Sequence, residues 1–147
     1  MKIVSITLAL ITLILAGGAF AEETAEDVFT FPAVDSAVAL EEPVMVLVHN
    51  SKACACTRRK CNQALEMTRK LVQDNPGDYV YSEVDQAENA EFSEAHEVKV
   101  VPSVIFFDSG GEEIARLRSM QIREEALLDQ IAALAETEKE KDGKEAE

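Results

Sequence analysis

The stretch Pro43-Val44-Met45-Val46-Leu47-Val48-His49-Asn50-Ser51-Lys52-Ala53-Cys54-Ala55-Cys56-Thr57-Arg58-Arg59-Lys60-Cys61 contains an unbroken apolar run followed by every cysteine of the chain. Val44 to Val48 has no polar interruption and is rich in β-branched side chains, the pattern of a strand buried on both faces. Pro43 punctuates its start, and His49-Asn50-Ser51 is a turn cluster at its end. Beyond the cysteines, Leu65, Thr68, Leu71 and Val72 recur at helical spacing, with Glu66, Lys70 and Gln73 on the other side. Asn75-Pro76-Gly77 stops that helix. The thiols therefore fall where a strand hands over to a helix.

Toward the C-terminus, Tyr79 to Val84 alternates in strand fashion, and a second helix is expected over about Glu88 to His96. Val98-Lys99-Val100-Val101-Pro102 leads into Ser103-Val104-Ile105-Phe106-Phe107, another buried strand, which Asp108-Ser109-Gly110-Gly111 turns into a partner over Glu113 to Leu117. A last helix, about Arg123 to Ala135, carries Leu127, Ile131 and Leu134 on one stripe. The order strand, helix, strand, helix, hairpin, helix predicts an α/β fold in three layers, a mixed central sheet with helices on both faces. Residues 136–147 have no apolar stripe and are expected to be a disordered, charged tail.

Toward the N-terminus, residues 22–42 are acidic and weakly patterned, an acidic lead-in with a short helix around Asp35 to Glu42. Before them, Lys2 precedes an uncharged run from Ile3 to Ala16, and Ala19-Phe20-Ala21 fits a small-x-small cleavage site followed by Glu22-Glu23. Residues 1–21 thus read as a signal peptide cleaved after Ala21, which implies a periplasmic or secreted product. The alternative is an uncleaved anchor, since the segment approaches the roughly 20 residues that span a bilayer. Residues 43–135 form the one expected domain, large enough to bury a core without a staple.

The 147 residues carry 14 Lys and Arg against 28 Asp and Glu, and loss of the signal would leave 13 bases and a net charge of −15. Such acidity argues against a nucleic-acid partner and for a soluble surface. All three cysteines lie within eight residues, so they cannot close the long loops of a disulfide framework. Their odd number leaves one over unless it pairs between chains or binds something.

The ordered set of segments resembles the thioredoxin family over about residues 40–135. Pro43-Val44-Met45-Val46 is similar to the strand entering that family's active site, Val100-Val101-Pro102-Ser103 to its cis-proline segment, and Phe106-Phe107-Asp108-Ser109-Gly110-Gly111 to its terminal hairpin. The resemblance implies that Pro102 is cis and faces the thiols, with the backbone at Val101 free to pair with a substrate strand. Three departures bear on activity. The family's Trp-Cys-Gly-Pro-Cys is replaced by Lys52-Ala53-Cys54-Ala55-Cys56-Thr57, and the chain has no Trp. The family's buried acid aligns with Leu47. Its substrate-side glycine aligns near Arg118 or Ser119.

The cysteine cluster supports three chemistries. In the first, Cys54 is the exposed nucleophile of a thiol-disulfide oxidoreductase or redox-responsive protein, and Cys56 is its partner. Lys52, Arg58 and Arg59 then lower thiol pKa values, because cations and a helix N-terminus favour thiolate. A ring closed two residues apart is smaller than a C-x-x-C ring, and strain makes it more oxidising. Cys56 and Cys61 cannot bridge if one helix holds both, because five residues rise about 7.5 Å and a disulfide needs Cα atoms within about 7 Å. Cys61 is then a core residue; if the helix starts later, near Asn62, it becomes a third, resolving thiol. In the second chemistry Cys54, Cys56, Cys61 and His49 hold Cu or Zn. The third is a non-catalytic interaction domain. The redox reading requires no cofactor and implies a monomer acting on protein or small-molecule thiols and disulfides, away from membranes once the signal is cleaved.

Overall fold

Residues Val44 to Val48 are wholly buried, and alternate members face opposite sides of a sheet. The computed structural model describes residues 29–30 and 42–145. Its elements are β1 (Phe29–Thr30), β2 (Val44–His49), α1 (Ala55–Asp74), β3 (Val80–Asp85), α2 (Ala90–Ala95), β4 (Ser103–Phe107), β5 (Glu113–Arg118) and α3 (Glu124–Glu145), with a 3-10 turn at Ser119–Gln121. The sheet order is β1-β3-β2-β4-β5. Parallel pairing joins β1 to β3 and β3 to β2, whereas β4 runs antiparallel to both β2 and β5.

Each face of β2 seeds its own core. Val44, Val46 and Val48 pack with Val84, Phe92, Val98, Ile105 and Phe107 on the α2 side. Met45 and Leu47 pack with Ala64, Leu71, Tyr81, Val104, Phe106, Ile122, Leu127 and Leu134 under α1 and α3. Full burial of side chains of this size contributes roughly 1.5–3 kcal/mol each, and this explains why the uninterrupted apolar run occupies the centre of the sheet. The three-layer α/β architecture is the one expected. The Asp108 carboxylate fixes the β4–β5 turn by accepting the N–H groups of Gly110 and Glu112, each at 2.9 Å. Gly111 closes it with a φ of 76°, where a side chain would strain the backbone.

Two boundaries differ from expectation, and at a third one of two readings is removed. The acidic lead-in is not wholly outside the sheet: β1 lies within it and pairs Phe29 with Ser82 and Thr30 with Glu83. Two residues among acidic neighbours carry no readable period, and only the open edge of β3 reveals them. The last helix does not stop at Ala135 but keeps helical backbone to Glu145, through the tail expected to be disordered. Glu and Lys there are strong helix formers, and they extend a helix already nucleated by packing. The first helix starts at Ala55, not near Asn62. The signal peptide over residues 1–21 lies outside the described residues, as does all but the last residue of the short helix expected at Asp35 to Glu42. Among the described residues no helix is long and apolar enough to cross a membrane.

Candidate functional site: the thiol pair at the start of the first helix

β2 and β3 run parallel and end together at His49 and Asp85. The loop between β2 and α1 is fixed from beneath by the residues that follow β3. Gln86 donates its backbone N–H to His49 O at 2.8 Å. Asn50 Nδ2 donates to Gln86 Oε1 at 3.2 Å, and Gln86 Nε2 donates to Val98 O at 3.2 Å, so one side chain ties the cysteine loop to the segment before Pro102. Asp85 Oδ1 accepts Ser51 N at 3.1 Å and Ala87 N at 3.0 Å. Partial burial would raise the Asp85 carboxyl, but the Ser51 and Ala87 hydrogen bonds and nearby His49 outweigh it and hold it below the usual range. Lys52 N donates to Asn50 Oδ1 at 3.0 Å, completing the turn that delivers Cys54.

Cys54 occupies the N-cap position of α1, with extended backbone (φ −58°, ψ 156°), and its carbonyl accepts Arg58 N at 2.9 Å. Cys54 and Cys56 are exposed free thiols whose sulfurs stand 2.9 Å apart. The Thr57 hydroxyl lies 3.3 Å from Cys54 Sγ and 4.0 Å from Cys56 Sγ. The Cys56 side chain, the Thr57 hydroxyl and the backbone N–H groups of Thr57 and Cys56 all favour negative charge on Cys54 and bring its pKa down to about 6. The free N–H groups of a first helical turn are an anion site by construction, and here the anion they favour is a thiolate. Cys56 and Thr57 are the largest of these influences. Lys52, Arg58 and Arg59 are exposed around the pair.

Cys61 lies elsewhere. It is 1% exposed, inside α1, on the stripe it shares with Ala64, Thr68 and Leu71. Burial pushes its thiol up, an Asn50 backbone N–H opposes that, and the Asp85 charge adds to the rise. Cys56 and Cys61 share one helix five residues apart, so they cannot bridge within it, and the burial of Cys61 fits the core role. Nor are Cys54, Cys56, Cys61 and His49 assembled as ligands: among the described residues no three His, Cys, Asp or Glu side chains form a group that could hold a metal ion. His49 ends β2 and His96 packs its ring on Phe92 and Phe107 at centroid distances of 4.4 and 5.0 Å.

The Val101–Pro102 bond is cis. Val48 and Ser103 form the last antiparallel pair of β2 and β4, so Pro102 and Val101 continue past it along the loop that leads to Cys54. Pro102 O accepts Ser119 N at 2.8 Å, which ties this segment to the β5–α3 turn. Ser119 has a φ of 39°, a left-handed conformation. Sequence reasoning missed Thr57, Asp85 and Gln86. Thr57 had a local signal, being three residues after an N-cap, whereas Asp85 and Gln86 reach the site only through the β2–β3 pairing.

Solved structures with a similar fold include a thioredoxin variant of Halobacterium salinarum, at 20% identity over 73% of this chain and 87% of that one, with a TM-score of 0.58. The thioredoxin of Fasciola hepatica matches at 18% identity over 71% and 93%, with a TM-score of 0.58. Mitochondrial thioredoxin 3 of Saccharomyces cerevisiae, in its oxidised form, matches at 16% over 73% and 92%, also at 0.58. Neither a protein-family model nor a curated protein sequence matches the chain. The fold is thioredoxin-like, and Cys54 and Cys56 lie near the position where that fold carries its redox site.

Proposed function

We propose that the chain is an exported thiol-disulfide exchange protein in which Cys54 is the nucleophile and Cys56 its partner. One observation carries this reading: two exposed sulfurs lie 2.9 Å apart at the mouth of α1. The Cys54 thiolate attacks one sulfur of a substrate disulfide, forming a mixed disulfide and releasing the first substrate thiolate. Cys56 then gives its proton to solvent and attacks Cys54 Sγ, expelling the second substrate thiolate. The substrate disulfide gains two electrons, and the Cys54–Cys56 pair loses two. In reverse, an oxidised pair passes its disulfide to a dithiol. The adjoining Val101–Pro102 segment offers backbone to an extended substrate, and the thioredoxins that share the fold support thiols and disulfides as its partners.

Alkylation with mass readout tests the exchange. Protein purified in air should show Cys54 and Cys56 oxidised together and Cys61 free, and reduction should free all three. If Cys54 and Cys56 are equally free in both samples, the exchange reading fails, and the non-catalytic interaction domain replaces it. Export rests on the apolar run Ile3 to Ala16 and the Ala19-Phe20-Ala21 site. Bacterial expression with residues 1–21 in place should yield periplasmic protein whose mass begins at Glu22. Protein retained in the cytoplasm or the membrane would overturn it.

A further inference from the structure

The surface around the two thiols has a charge opposite to that of the rest of the chain. Between Pro43 and Leu65 there is no Asp or Glu, a gap of 23 residues in a chain with 28 acids in 147. The gap holds Lys52, Arg58, Arg59 and Lys60, all exposed. Helical spacing brings three of them to the sulfurs. Arg58 follows Cys54 by four residues, and Arg59 and Lys60 follow Cys56 by three and four, the separations that make neighbours on a helix surface. Lys52 flanks Cys54 from the loop. The nearest acid of the underlying strand, Asp85, has its carboxylate turned to the N–H groups of Ser51 and Ala87.

Across the cis-proline segment the same end of the sheet continues with Arg118, in register with Ser103, and with Arg123, whose Nε donates to Met120 O at 3.3 Å. Val100, which lines a cavity with Lys99 and Arg118 as well as Glu97 and Glu113, is 47% exposed, and Met120 is 75% exposed. Neither stability nor solubility explains the placement. Cations around the start of α1 oppose its dipole, and a chain of net charge −14 would be kept soluble by acids here as elsewhere.

We propose that this basic rim is a docking surface for an acidic peptide segment, so that the preferred substrate is a disulfide whose flanking residues are Asp or Glu. This deepens the exchange reading and rests on it. The rim attracts the flanking carboxylates, the exposed Val100 and Met120 take up apolar groups between them, and the substrate sulfur arrives at Cys54.

The test uses three synthetic peptides, each with one cysteine held as a mixed disulfide with thionitrobenzoate and flanked by Glu, Gln or Lys. The Cys54 thiolate of the reduced protein attacks the peptide sulfur, a mixed disulfide with the peptide forms, and thionitrobenzoate leaves with the electron pair of the broken bond; Cys56 then attacks Cys54 Sγ and releases the peptide thiolate. Its absorbance gives the rate. At low ionic strength the Glu peptide should react about tenfold or more faster than the Lys peptide, as steering to a charged surface permits. Molar salt should close the gap. The variant carrying Lys52→Gln, Arg58→Gln, Arg59→Gln and Lys60→Gln should lose it while keeping its cooperative melting curve. Equal rates, or a faster Lys peptide, would overturn the docking surface. The Gln peptide reports on the exchange reading separately: if it reacts no faster with the protein than with free cysteine, Cys54 is not activated, while the Glu to Lys ratio still reads the rim.

Discussion

Cys56 and Cys61 lie five residues apart on one helix and end in opposite surroundings. Around Cys56 the first turn of α1 is exposed and flanked by cations, and its sulfur sits beside Cys54 and Thr57. Around Cys61 the same helix is a buried ridge with Ala64, Thr68 and Leu71. Five residues turn a helix by well over one full revolution, so an identical side chain is carried from solvent to core. Residue type therefore decides little about a thiol here. Its angle on the helix and its distance from the free N–H groups decide whether it is a reactive anion or an inert hydrophobe.

Breaking the exposed side has the largest expected effect. Cys54→Ser should abolish rapid exchange with an aromatic disulfide under native conditions, whereas Cys61→Ser should keep it; stopped-flow kinetics on the two variants separates the roles. The buried side should respond in stability. Cys61→Ser places a hydroxyl where the sulfur was enclosed and should cost about 2 kcal/mol, read as a lower urea midpoint with an unchanged slope.

A pH series sharpens the contrast. Because the Cys54 pKa is lowered to about 6, its thiolate persists down to that pH and is lost as pH falls through it, so the iodoacetamide rate at Cys54 should be half-maximal near pH 6. The sign for folding follows. A group whose folded value lies below its unfolded one adds stability as pH rises between the two. Thr57→Val removes one hydrogen-bond partner and should move the midpoint upward, toward that of a free cysteine. Cys61, pushed the other way by burial, should stay unlabelled across the series until denaturant is added.

Two smaller effects test the ridge and the rim as stability elements. The Thr68 hydroxyl is buried with no hydrogen-bond partner among the described residues, so Thr68→Val should raise stability by about 1 kcal/mol. Arg58→Gln with Arg59→Gln removes cations that oppose the dipole and should raise it by about 0.3 kcal/mol or slightly more. Both are read from thermal melts. A fall in stability in the second case would mean that the cations serve the fold rather than a partner.

Much of this was legible in the chain itself, and the illegible parts share a cause. The continuous run Val44 to Val48 could only be a central strand, because no polar residue offered a solvent face. The turn Asp108-Ser109-Gly110-Gly111 and the stripe Leu127, Ile131, Leu134 were equally local. β1 was hidden because Phe29-Thr30 becomes a strand only by borrowing the edge of β3. The α1 start was misplaced in one of the two readings because Cys54 caps the helix without a Ser, Thr, Asp or Asn. The tail was read as disordered from composition, although Glu and Lys continue a helix readily once packing has begun it. For the thiol pair, spacing alone showed that Cys54 and Cys56 could meet; the source of the pKa lowering could not be read, since it depends on where the Thr57 hydroxyl and the first helical N–H groups point.

The sequence by itself determined which segments are apolar, their order, and the crowding of thiols and cations at one junction, all properties of neighbouring residues. Only the tertiary structure decided that Asp85 and Gln86 brace the cysteine loop, that Cys61 is enclosed, and that the cis Val101–Pro102 segment runs beside the site. Those facts depend on strands far apart in the chain coming into register, and register is fixed by the packing of both sheet faces at once.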